Sequence, residues 1–188
     1  MKDSSLKRLR WLIAGIDAVN VNVGRAAAWL LLAMAVLVFL IAILRYLFNF
    51  GAVFLQEAAV YLHAGAFMVA IGYALLRGDH VRVDIFYHDR SVRHRALVDL
   101  LGGLLLLLPI CLVALYYCAP YVLQSWLRLE QSQESGGIPA LFLLKTFLLL
   151  GPALLLLQGI AQILRAWLRY VSGVEDSQSE MEGRQEGL

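Results

Sequence analysis

Residues 26–44 read AAAWLLLAMAVLVFLIAIL, nineteen residues without a charge. At about 1.5 Å of rise per residue this stretch spans roughly 28 Å, close to the ~30 Å hydrocarbon core of a bilayer. The pattern recurs at 58–76, interrupted only by His63, and again at 100–118 and 146–164. Backbone groups in lipid must be satisfied within the segment, so each run reads as a helix. Composition agrees: 61% of the residues are hydrophobic and 16% charged, against about 45–50% and ~25% in soluble domains. The reading is an all-α membrane protein with four transmembrane helices, expected near 26–46, 54–76, 96–120 and 139–165, within one domain of residues 26–170.

The basic residues orient the bundle. Residues 1–25 hold Lys2, Lys7, Arg8, Arg10 and Arg25, and residues 77–95 hold Arg77, Arg82, Arg90, Arg93 and Arg95. The C-terminal part adds Arg165 and Arg169. The first connection, 45–57, has only Arg45, and the third, 119–145, only Arg128 and Lys145. This bias places both termini and the middle connection in the cytoplasm. No cleavable signal peptide is expected, because the apolar run starts late and is too long.

Residues 1–25 form a basic segment in which Leu9, Leu12, Ile13, Ile16, Val19 and Val23 share one helical face. Asp17 and Asn20 lie largely off it. The expectation is an interfacial amphipathic helix with Trp11 at headgroup level. Residues 171–188 are rich in Ser, Gln, Glu and Gly without apolar periodicity, and read as a disordered polar cytoplasmic tail. Cys111 and Cys118 lie two turns apart on one helix, too far for a disulfide.

Ala58, Ala66, Ala70 and Ala74 form a small-residue packing face, the means by which helices approach closely in lipid. Gly102, Gly103 and Pro109 in the third run, and Gly151, Pro152 and Gly159 in the fourth, predict local kinks. Leu104 to Leu108 and Leu154 to Leu157 suit lipid or a large apolar partner.

Ionisable groups in the spans are few. Glu57, beside Gln56, complements the start of the second helix and is placed to pair with Arg45 across the hairpin. Asp99 is expected to do the same for the third helix. Lys145 is placed to snorkel outward. His63 and Gln158 are the main polar groups at depth, without an evident charged companion. A bis-histidine haem needs a second intramembrane histidine, which argues against a redox subunit. His80, Asp84 and His88 share a four-residue spacing but read as ties between the loop and the helix ends rather than metal ligands. No nucleophile–base pair, phosphate-binding glycine loop or zinc spacing occurs in the sequence, so neither an enzyme, a cofactor nor a nucleic-acid partner is expected. In SWLRLEQSQESGGIP (125–139), Trp126 suits the interface and Gly136-Gly137 with Pro139 reads as a turn. Glu130 and Glu134 offer acceptors to a soluble partner or to water.

Residues 45–87, RYLFNFGAVFLQEAAVYLHAGAFMVAIGYALLRGDHVRVDIFY, resemble the first hairpin and following loop of the small membrane subunit of tripartite ATP-independent periplasmic (TRAP) transporters, the DctQ-like family. Residues 125–165 resemble its last hairpin. The matching positions are Arg45, Gln56, Glu57, His80, Val83 and Asp84, then Ser125, Trp126, Glu130, Ser132, Gly136, Gly137, Lys145 and Gln158. One departure is Phe54-Leu55-Gln56-Glu57, where many members carry a tryptophan just before the glutamate. The resemblance implies a non-enzymatic subunit of the bacterial inner membrane. It would support the scaffold of a large permease and help dock a soluble periplasmic receptor, in sodium-driven uptake of an organic acid or similar solute. A self-sufficient ion-coupled transporter using Glu57 is the alternative.

Overall fold

The computed structural model describes residues 3–78 and 92–172. His80, Val83, Asp84 and His88, and the tail beyond Ser172, lie outside the described residues. Among the described residues, five α-helices and one π turn follow in order: α1 Asp3–Phe48, α2 Val53–Arg77, α3 Val92–Gly102, the π turn Gly103–Leu107, α4 Leu108–Leu127 and α5 Leu141–Ser172. The stretch from α3 through α4 is one continuous span. Four helical units are thus long and apolar enough to cross a membrane.

The third unit is longer than expected, ending at Leu127 rather than near 120. The irregularity before Pro109 takes the form of the π turn. Proline has no N–H for the carbonyl four residues back and its ring presses on it, and a widened turn relieves that conflict. Pro120 and Pro152 stand inside helices that continue through them. The first unit is also longer. The basic segment and the first apolar run form one unbroken helix of 46 residues, about 69 Å long at the usual rise.

α5 is the axis of the fold and touches all the other helices. Contacts advance together along α2 and α5, from Gly65 with Phe147 to Met68 with Gly151 and Gly72 with Leu154, so these two run in the same direction. α3 and α4 run against α5, with Leu107 on Gly159 and Gly103 on Ile163. α1 pairs mainly with α2, also antiparallel, and Gly24 lies under the Tyr73 ring. The α1–α2 turn and the α4–α5 loop therefore share one end, here the loop end. The start of α1 and the end of α5 share the other, the terminal end.

The packing face is narrower than four alanines. Ala66 is 1% exposed, whereas Ala58, Ala70 and Ala74 remain half-buried. Glycines make the closest approaches. Gly72 is where α1, α2 and α5 meet: a Cβ there would lie 2.2 Å from Asn20 Oδ1 and 3.0 Å from the Leu154 carbonyl oxygen. Leu104, Leu105 and Leu106 are exposed, as expected for a lipid or partner face, while Leu154 to Leu157 are half-buried.

Candidate functional site

The α4–α5 loop is drawn onto the start of α2 by Glu57. Ser132 Oγ donates to Glu57 Oε1, and the Ile138 N–H donates to Oε2 at 2.6 Å. Gly137 is held beneath these bonds. A Cβ there would sit 2.4 Å from Ser132 Oγ and 2.7 Å from Glu57 Oε1. The neighbouring Gly136 turns the chain at φ +77°, in the left-handed region that glycine enters without steric cost. The Ser132 N–H donates to the Ile138 carbonyl across the loop at 3.3 Å, and Ser132 Oγ also accepts from the Glu134 N–H at 3.2 Å.

A second carboxylate fixes the first half of the loop. Glu130 Oε2 accepts from Ser125 Oγ at 2.7 Å and from Lys145 Nζ at 2.5 Å. Lys145 Nζ also lies 4.1 Å from the centre of the Tyr121 ring, a cation–π contact. The lysine and serine bonds hold the Glu130 carboxyl below the usual carboxylate range. Trp126 donates from Nε1 to Thr146 Oγ1 at 2.9 Å, and its ring meets Phe142 edge-on.

Several expectations are corrected here. Glu57 does not pair with Arg45. Arg45 is exposed in the last turn of α1 and makes no ion pair among the described residues, while Glu57 binds the loop. Glu130 is not a free acceptor and Lys145 does not simply snorkel, because they bind one another. Asp99 is not at the start of its helix but seven residues in, 3.8 Å from Arg169.

The terminal end carries a second network. Asn20 and Gln158 are each 0% exposed. Asn20 Nδ2 donates to Gln158 Oε1 at 2.8 Å, and Gln158 Nε2 donates to Asp17 Oδ1 at 3.1 Å. Asp17 Oδ2 accepts from Arg165 Nη2. Gln162 Nε2 donates to the Leu75 carbonyl at 2.7 Å, tying α5 to α2. Gln158 thus has a charged companion after all, and Asp17 and Asn20 turn inward towards α5. Their three-residue spacing on a helix was the available signal. Lying off the apolar face, the two residues suit the polar side of a surface helix equally well. His63 is exposed on α2, with its ring on Phe67.

Four apolar helical spans without a strand among the described residues define a multi-pass helical membrane protein. Residues 34–169 match the family described as tripartite ATP-independent periplasmic transporters, DctQ component. The chain belongs to that family, the small permease component of TRAP transporters. It is a transporter-component family rather than an enzyme family, and it operates with a large permease and a periplasmic receptor. No curated protein and no solved structure matches the chain.

Proposed function

We propose that this chain supports the scaffold of a large permease in sodium-driven, receptor-dependent uptake of an organic acid or similar small solute across the bacterial inner membrane. Both termini and the middle connection face the cytoplasm, so the terminal end is inner and the loop end outer. The observation that carries the reading is the convergence at the loop end. Glu57, Ser125, Trp126, Glu130, Ser132, Gly136, Gly137 and Lys145 are all positions of the family resemblance, and all lie in the α4–α5 loop or the helix ends around it, where Glu57 and Glu130 each centre a hydrogen-bonded cluster. Four charged side chains of the spans are taken up within the chain: Glu57 by the loop, Lys145 by Glu130, and Asp17 and Arg165 by one another, with Gln158 on Asp17. A path for an organic anion needs donors or cations free to meet it.

Reconstitution tests the role. Liposomes holding this chain alone should show no uptake, and those holding it with the large permease, the receptor and a sodium gradient should. Uptake by the isolated chain would favour a self-sufficient transporter. Cysteine labelling tests the orientation: in intact cells an impermeant reagent should reach Ser132→Cys and not Ser91→Cys, and the reverse would invert the topology.

A further inference from the structure

α2 is a well-packed helix with one side that the chain leaves uncovered. Gln56, Val60, His63 and Phe67 are all exposed, Phe67 at 67%. Half-buried Ala70 and Ala74 and exposed Arg77 continue the same line. The spacing along it is four, three, four, three, four and three, the 3.5-residue period of a seam against another helix. Small residues at 70 and 74 permit close approach in the second half.

Two members of the seam are not lipid-facing residue types. Neither the Gln56 amide nor the His63 imidazole has a hydrogen-bond partner among the described residues; the histidine ring meets only Phe67. His63 lies six residues beyond Glu57 along α2, about 9 Å deeper. Acyl chains offer neither donor nor acceptor there. The exposed side of α1 is different in kind. Trp29, Leu31, Leu32, Val36, Val38 and Phe39 are apolar throughout and suit lipid. On α4 the exposed tyrosines are Tyr116, Tyr117 and, one turn further on at the cap, Tyr121, and tyrosine is a membrane-interface residue.

We infer that the seam from Gln56 to Arg77 is where a transmembrane helix of the large permease packs, presenting a hydrogen-bonding group level with His63. The inference rests on the proposed role of the chain as a subunit and adds the face it uses. It is distinct from the loop-end cap, which is closed on itself.

Photocrosslinking in the assembled transporter tests it. Para-benzoylphenylalanine placed at position 60 or 67 should give adducts with the large permease, and the same probe at Val36 should not. His63→Leu should lower recovery of the complex several-fold without lowering the yield or helix content of the isolated chain, and His63→Gln should restore much of it. Copurification of wild type with the permease, with adducts from position 36 and none from 60 or 67, would overturn the seam and leave the subunit role intact. Adducts between two copies of this chain at 60 and 67 would also overturn it. If wild type recovers no permease and no adduct forms anywhere, the subunit role itself fails and the seam with it.

Discussion

At the loop end, two carboxylates hold a loop against helix ends; at the terminal end, carboxylates, amides and guanidiniums hold helices against each other. The loop-end bonds are at the margin of the bundle, and two of their donors are backbone N–H or hydroxyl groups of the loop itself. The terminal-end bonds around Asp17 run side chain to side chain between α1 and α5, with Asn20 and Gln158 fully enclosed. Carboxylate chemistry serves both ends, but losing it should have different consequences. Disturbing the terminal end strands a polar group among helices, a cost that solvent relieves only in part. Disturbing the loop end frees a loop that water can solvate.

The largest effect should follow Arg165→Met. It leaves Asp17 without its cation, and both side chains are only about a quarter exposed. Removing one partner of a buried pair costs about 3–5 kcal/mol, and partial exposure reduces that here to about 2 kcal/mol. Thermal unfolding in detergent should show the loss, and Asp17→Asn added to it should recover a large part. Unchanged unfolding in the single variant would remove the contrast between the two ends. Gly72→Ala should come next. The added methyl meets Asn20 and the Leu154 backbone, and overpacking of this kind costs about 1–3 kcal/mol. Intact stability would mean that α2 and α5 are looser at Gly72 than the geometry indicates.

Glu57→Gln should be milder globally and sharper locally. One of its two bonds requires an acceptor that the amide nitrogen does not supply. Hydrogen exchange of residues 132–138 should accelerate several-fold while the helices keep their protection. Uniform acceleration across the helices would show that the cap holds the bundle rather than the loop.

The smallest effect is a pH dependence. The folded Glu130 carboxyl titrates below its unfolded counterpart. Its contribution is therefore complete above the unfolded value and disappears as pH falls through the folded one. Loop exchange, corrected for its intrinsic pH dependence, should stay slow at neutral pH and rise only as pH falls below the value for an ordinary glutamate. Lys145→Met should move that rise to higher pH, and an unmoved profile would detach Glu130 from Lys145.

The two ends also differ in how far the sequence revealed them. Four nineteen-residue apolar runs are unmistakable, because lipid imposes length and composition together. The loop-end residues stood out through family resemblance, but their partners did not: Glu57 looked matched to Arg45 because both flank the first hairpin. Its real partners lie in a loop more than seventy residues away, which hairpin proximity says nothing about. The terminal end was missed for another reason. Apolar periodicity around Asp17 and Asn20 fits a helix on a membrane surface as well as a helix against α5, and local pattern does not distinguish the two. Gly72 gave no signal either, because a glycine inside an apolar run shows its purpose only when the neighbouring backbone is placed.

The central claim is that Glu57, Lys145, Asp17 and Arg165 hold this subunit together and do not carry the coupling ion. The most direct test is the sodium dependence of uptake by Glu57→Gln in liposomes with the large permease and receptor, normalised to the amount of assembled complex. The account predicts uptake that follows the assembled fraction, with a sodium dependence identical to wild type. Normal assembly with a changed or lost dependence on the ion gradient would contradict it.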